Sequence, residues 1–414
     1  MKAPKRILFF TNSDYGQANV ILATVHALVH VASDVEIHIA SFHELQAAVY
    51  ATSQFALSHA PEGSSAKPLV FHGLNANWMV LAPNTIKDFA VPLQPGLAML
   101  WKYPLVCSAM PFPLPWSLIP RNIFLNLVVG YALLTDTRIK NTTQLLHKEV
   151  NSSITLLTAN ELGVLKAPPP GLRILVANSS DIDYPFAVLL SHVTPCGPIV
   201  RATPQISSVD PTLAEWLSRG PTVYVNLGTH LKVGPVEAGE MARAFRDMLD
   251  RASVLGGAGR KPLQILWKLG RKPSTSDTKL ERDVYEGPVR ITDWVTAEPK
   301  SVLESGDVVC SVNHGGASSF YESICAGVPQ VLLPPWSDCY DFANRVELLE
   351  VGHWANKKAK PRWEQKELAA CLEEVLFSTK AEKILARAKD VAKRHPESAG
   401  REKAAREILA FWKT

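Results

Sequence analysis

Several common signatures are missing from this 414-residue chain. Charge of one sign is not in excess: 43 Lys and Arg stand against 39 Asp and Glu, a formal net charge of +4. That balance argues against a nucleic-acid or membrane-surface protein, whose footprint is a strong basic surplus. Cysteines at CxxC or zinc-like spacing are absent. The six present, Cys107, Cys196, Cys310, Cys325, Cys339 and Cys371, are scattered and read as reduced thiols of a cytoplasmic protein. Long apolar runs are also lacking. The longest, "IFLNLVVGYALL" at 123–134, falls short of the ~20 residues a spanning helix needs, so it reads as a buried or interfacial helix. No GxGxxG follows a strand candidate, which leaves a dinucleotide-dependent oxidoreductase little support. The opening "RILFF" runs straight into polar turn residues and reads as a first β-strand rather than a signal peptide. The sequons at Asn141, Asn151 and Asn178 would matter only on a secretory route, and nothing else supports one.

What is present is an alternation of short β-rich runs with helical patterns, which predicts α/β architecture with parallel sheets. In the first half, strands are expected at Arg6–Thr11, Val35–Ala40, Pro68–His72, Trp78–Ala82 and Arg173–Ala177, and helices at Val20–His30 and Ile139–Glu149. The Pro- and Gly-punctuated stretch 194–211 is the best linker candidate. A second series follows: "TVYVNLG" at 222–228, a helix over 235–254, then "LQILWKLG", "VRITDWV", "VVCSVNHGG" and "PQVLLPPW". The chain from 364 onward is helical and charged. Two halves result: residues 1–205, residues 212–385, and a helical tail over 386–414. One junction conflicts with this plan. "PLVFHG" at 68–73 and "NWMVLAP" at 77–83 are separated only by "LNA", whereas a parallel crossover needs at least ~10–12 residues. The two strands therefore form a hairpin, or merge, or a helical segment between them is missing near 73–78.

The densest chemical signal is residues 308–335. A buried strand, "VVCSV", leads through "NHGGASS" into a helix starting "SFYESICAG". Backbone N–H groups at a helix N-terminus beside small residues suit a phosphate. Gly315 and Gly316 allow close approach, and Ser318 and Ser319 add hydroxyl donors. The competing reading is a capping box, since Ser319-Phe320-Tyr321-Glu322 fits S-x-x-E. Elsewhere, His26 and His30 are four apart on a helix, where an exposed face is a far better account than a metal pair. Asp181-Ile182-Asp183 is a DxD, best read as chance or a structural turn. Lys140–Lys148 and "REKAAREILAFWKT" read as solvated helix faces. The aromatics of "PFPLPWSLIP" at 111–120 fit an acceptor pocket or the core equally well.

Trp294, "HGGASSFYES", "GVP" and "PPWSDCYDFANRV" together closely resemble the signature of the UDP-sugar-dependent glycosyltransferases of GT-B fold. "EWLSRGP" and "TVYVNLGT" also resemble that family's run into its C-terminal domain, and "DYGQANV", "NTIKDFAVPLQP" and "LWKYP" look most like fungal members. The resemblance is strong over roughly 212–355, recognisable over 1–45 and patchy between. It implies two Rossmann-like domains whose parallel sheets face across a cleft, with the N-terminal domain incomplete. It implies UDP-sugar as donor substrate, no permanently bound cofactor, no metal, and a small-molecule acceptor. By the same resemblance Trp294 and Val295 would hold the uracil, and Glu322 the ribose hydroxyls. Gly228, Thr229, His314, Gly316, Ser318 and Ser319 would surround the diphosphate, and Asp338 and Cys339 would stand at the sugar. The physical logic agrees: a carboxylate suits vicinal hydroxyls, an aromatic a base, and a helix N-terminus a departing diphosphate.

The resemblance also exposes departures. The Trp294 segment reads "WVTAEP" where the family has Trp-x-Pro-Gln, and Cys339 replaces a glutamine, so no amide reaches the sugar there. The family's Gly-His-x-x-Pro carries the histidine that deprotonates the acceptor. Here it is Gly16-Gln17-Ala18-Asn19-Val20, and an amide has no useful pKa. The aspartate that would orient that histidine comes from the segment missing near 73–78. The expected activity is transfer of a sugar, glucose first among candidates, to a hydroxyl of a lipophilic acceptor, with inversion. Asp14, an acidic acceptor or solvent would then take the proton. The alternative is a homologue that binds a nucleotide-sugar without turnover.

Overall fold

The computed structural model describes residues 5–74, 100–105, 108–135, 137–153, 167–185, 189–255, 261–271 and 283–411. The Trp78–Ala82 strand, the residues after Leu74 at the short junction, and Cys107 lie outside them.

The first half opens with β1 (Lys5–Phe10), α1 (Tyr15–Val31), β2 (Val35–Phe42), α2 (Gln46–Ser58) and β3 (Val70–Leu74). The three strands are parallel in the order β1-β2-β3. Asp14 starts α1 by accepting the Gly16 N–H on its side chain, satisfying one of the unpaired donors of the first turn. Leu22, Val25 and Leu28 of α1 are fully buried in one cluster with Ile37 and Ile39 of β2. Helices α3 (Ile119–Thr135) and α4 (Thr137–Glu149) follow. The apolar run 123–134 thus lies within α3, and no helix among the described residues is long and apolar enough to cross a membrane. The Arg173–Ala177 strand forms as β4 (Ile174–Val176). It pairs with β5 (Val193–Pro195) in a separate two-stranded sheet, not in the first one.

The second half begins with α5 (Ile206–Val209) and α6 (Pro211–Leu217), and continues β6 (Thr222–Asn226), α7 (Pro235–Leu255), β7 (Gln264–Lys268), β8 (Asp283–Glu286) and β9 (Val289–Thr292). Then come α8 (Pro299–Leu303), β10 (Val308–Asn313), α9 (Ala317–Ala326), β11 (Gln330–Leu332), α10 (Cys339–Leu348) and β12 (Gly352–Trp354). Its seven strands run in the order β12-β11-β10-β6-β7-β9-β8, parallel except for β8. Strand β6 is buried along its whole length, as expected for a parallel sheet covered on both faces. Gly327, at φ +67°, ends α9 in the left-handed conformation that glycine adopts at least cost.

Three helices close the chain: α11 (Gln365–Leu376), α12 (Ala381–Arg394) and α13 (Ala399–Phe411). Two expectations change here. The tail does not begin at 386, because α12 runs unbroken through that position. Nor is its last helix simply solvated. It crosses back to the first half, where Ala405 is fully buried with Leu28 of α1 and Ile408 and Leu409 pack alongside. The alternation of small and charged residues in "REKAAREILAF" is a narrow docking stripe. His26 likewise is not on an exposed face: it is buried beside Phe55, and His30 hydrogen-bonds the Ala56 carbonyl.

Candidate functional site

The site grows from the ends of two neighbouring parallel strands. Asn226 ends β6 and Asn313 ends β10, and the two are register partners. Each folds its side-chain oxygen forward to the N–H two residues on. Asn226 accepts from Gly228 at 3.0 Å and Asn313 from Gly315 at 2.8 Å. Each thereby fixes a sharp glycine turn, at φ +82° and φ +80°, a conformation costly for residues with a Cβ. Between the turns lies the His314 imidazole. A Cβ on Gly228 would come within 2.8 Å of the ring, and one on Gly316 within 2.4 Å. Both glycines are therefore required by the ring itself. His314 Nδ1 is buried without a hydrogen-bond partner among the described residues. Burial first, then the nearby His230 and Lys268 charges, push its pKa down to about 4. It is a neutral imidazole at physiological pH.

Gly316 is the N-cap of α9, and no side chain caps the helix. The capping-box reading fails: Ser319 stands inside the first turn, not at its cap, and Glu322 lies a turn further on. The helix therefore presents its first N–H groups and dipole, together with Ser318 and Ser319, without an internal carboxylate. Glu322 is buried on the same helix. Burial, then Glu298, raises its pKa to about 8 against the pull of Arg201 and Lys300.

Trp294 stands after β9 with its indole 64% exposed, and the Lys268 ammonium lies 4.4 Å from the ring centroid. Lys268 also donates to the Gly228 carbonyl at 3.3 Å, which ties the aromatic platform to the first glycine turn. Burial, then Lys232, lowers the Lys268 pKa. The Val295 side chain is packed inside with Leu266 and Tyr224, so only its backbone could serve a base. Thr229 is exposed beside Gly228. Asp338 precedes α10 and accepts from the Ser337 hydroxyl at 3.2 Å. Cys339 is 1% exposed, with its carbonyl against Gly315.

The first half contributes the turn before α1. Gln17 accepts from the Asn12 amide. Asn12 in turn accepts the Asp14 N–H at 3.0 Å. Asp14 uses Oδ1 for the Gly16 N–H at 2.9 Å and Oδ2 for His230 Nε2 at 3.2 Å. This last bond joins the two halves, because His230 follows Thr229 in the loop after β6. Gln17, Gly228, Thr229 and His314 are thus brought to one place.

Residues 198–389 match the family profile described as UDP-glucoronosyl and UDP-glucosyl transferase. Glycosyltransferase sdnJ of Sordaria araneosa is 28% identical over 444 aligned residues, covering 85% of this chain and 84% of its own. NDP-glycosyltransferase YjiC of Bacillus subtilis is 28% identical over 193 residues, 47% of this chain and 42% of its own. Over residues 198–389 the chain is similar to the UDP-glycosyltransferases. The alignment with the Sordaria protein is longer than the 414-residue chain, so that relative has segments without a counterpart here. Among solved structures, the glycotransferase of kitacinnamycin superposes with a TM-score of 0.61 at 17% identity, covering 99% of both chains. A UDP-glucose: anthocyanidin 3-O-glucosyltransferase in complex with UDP gives 0.56 at 16% identity, covering 100% of both. These neighbours show the GT-B fold.

Other sequence candidates have structural roles. Asp181 binds Arg394 and His395, and Asp183 binds Arg345 at 2.7 Å. The DxD therefore anchors the 178–184 segment to α10 and α12. Among the described residues, no group of three or more His, Cys, Asp or Glu side chains is gathered for a metal. The 111–120 aromatics divide: Phe112 stacks with Tyr103 and Tyr184, whereas Trp116 is 89% exposed. Met110, Pro111 and Leu118 line a cavity of about 360 Å³ with Tyr340, two residues after Asp338. Sequence reasoning missed His230 and Lys268. Neither lies in a motif, and only the loop and strand that carry them bring them to the turn.

Proposed function

We propose that the chain is a UDP-glycosyltransferase that transfers a sugar, with glucose the first candidate, from a UDP-sugar to a hydroxyl of a small lipophilic acceptor. The reaction is direct displacement with inversion at the anomeric carbon, with no metal required. The observation that carries this reading is the uncapped N-terminus of α9 with neutral His314 before it and buried Glu322 within it. As the bond to the anomeric carbon breaks, negative charge develops on the departing diphosphate. The helix dipole, the first-turn N–H groups and the two serine hydroxyls oppose that charge. Glu322 would accept the ribose hydroxyls, which supply hydrogen bonds that its buried carboxylate needs. Trp294 offers an exposed aromatic face to the uracil. Asp338 would hold the sugar, and Cys339 would bound it by shape only. The cavity beside Tyr340, where Met110, Pro111 and Leu118 share the lining with Arg121 and Lys360, would take the acceptor, its apolar body on the first three and a polar or acidic group toward the cations.

The position of Gln17 favours a second reading, in which the protein binds a nucleotide-sugar without turnover. UDP is expected to raise the melting temperature of the wild type, and Glu322→Ala to abolish that shift. A wild type that shows no UDP-dependent shift overturns the donor site. UDP release from UDP-glucose, with water or a phenol as acceptor, separates transfer from binding alone.

A further inference from the structure

We infer that His230 is the base of this transferase and that Asp14 orients it, a catalytic pair assembled across the two halves of the molecule. The inference rests on the glycosyl-transfer reading above. It starts from the gap at Gln17, whose amide cannot take a proton, and from the bond that stands beside it. Asp14 immediately precedes α1, three residues before Gln17, and its Oδ2 meets His230 Nε2 at 3.2 Å. The other oxygen, Oδ1, is held by the Gly16 N–H at 2.9 Å, and the Asp14 backbone N–H by Asn12 at 3.0 Å. The carboxylate is therefore fixed by its own turn before it meets the imidazole. Its side chain is only 19% exposed, against 56% for His230. A sheltered carboxylate and a solvent-reaching imidazole are the arrangement that orients a base while leaving it accessible to a substrate.

The tautomer follows from the geometry. A carboxylate accepts, so Nε2 carries the hydrogen and the lone pair is on Nδ1. His314 lies close enough for its protonation to be opposed by His230. The pair thus stands at the diphosphate turn on one side and the acceptor turn on the other.

The step balances. The acceptor hydroxyl gives its proton to His230 Nδ1 as its oxygen forms the bond to the anomeric carbon. The bond from that carbon to the diphosphate oxygen breaks, and UDP leaves with the electron pair. The imidazolium formed is stabilised by Asp14, which stays ionised. Compared with a base on α1, the same proton is removed from the other side of the cleft. Closure of the two halves becomes a condition for catalysis.

UDP release from UDP-glucose is measured for wild type, His230→Ala, His230→Gln, Asp14→Asn and Asp14→Glu, with water, phenol and trichlorophenol as acceptors. A melting-temperature shift with UDP is recorded for each. His230→Ala and His230→Gln are expected to lower kcat with phenol by roughly 10²–10⁴-fold while keeping the UDP shift. The loss should be smaller with trichlorophenol, which is largely ionised near neutral pH and needs no base. Asp14→Asn should lower kcat with little change in KM, and Asp14→Glu should restore part of it. Full kcat in both His230 variants overturns the inference, and so does a loss of the UDP shift in them, which would make His230 a donor-binding residue. A wild type that binds UDP but releases none from UDP-glucose with any acceptor also overturns it, in favour of binding without turnover. A wild type that does not bind UDP overturns the donor site itself.

Discussion

At the residue scale, burial makes ordinary side chains unusual. Glu322 titrates near 8 because its carboxylate is buried and Glu298 adds a like charge. The ordinary value is 4.5. Between these two pH values the folded chain holds a proton that the unfolded chain has lost, so this group makes stability fall as pH rises. Glu322→Gln is therefore expected to flatten the decline in melting temperature from about pH 5 to 8 and to raise it at pH 8. An unchanged profile would show that the carboxyl is not buried as described. The cost falls at the position proposed above for the ribose hydroxyls, which would offset it. His314 shows the complementary case: two glycines give way to one ring, and the ring stays neutral.

At the element scale, α13 shows how a helix that looks soluble acquires a partner. Its small residues face α1, with Ala404 1% and Ala405 0% exposed. A large side chain there meets packed backbone instead of solvent, and such overpacking with a buried charge costs about 3 kcal/mol or more. Ala405→Arg is expected to lower the unfolding free energy measured by urea denaturation by that order, whereas Lys403→Ala on the same helix, at an exposed position, should cost under about 1 kcal/mol. Equal effects of the two would place α13 off the core. The strand ends of β6 and β10 act the same way. Two asparagines in register build two glycine turns side by side, so the placement of both turns follows from strand pairing.

At the scale of the whole molecule, both halves carry a histidine held neutral by burial. His26 and His314 each titrate near 4 instead of 6.5, burial being the largest cause in both. Here the unfolded chain gains protons first. The contribution of these two histidines to stability is expected to be complete above about pH 6.5 and to be lost as pH drops towards 4. His26→Phe should weaken that acid limb without affecting the UDP shift, since His26 lies in the first half beside Phe55, away from the donor turn. An acid limb unchanged by this substitution would remove His26 from the account. The halves are joined by Asp14 and His230, by Arg345 and Asp183, and by α13 on α1. Any motion of the cleft must work against these contacts.

The sequence by itself determined the α/β alternation, the strand–turn–helix at His314–Glu322 and the family resemblance. These are local: periodicity sets strand and helix, and a glycine turn before a helix is contiguous in the chain. It also showed the defect at Gln17 and the short junction near 73–78. The seat of α13 was decided only by tertiary structure, because a stripe of alanines has no marked partner in sequence. So were the burial of His26 and the structural use of Asp181 and Asp183, whose ion-pair partners lie 162 or more residues away. The Asp14–His230 pair is the extreme case. Its members are 216 residues apart and belong to different halves. No spacing rule links them, and only packing of one half on the other brings a carboxylate to an imidazole.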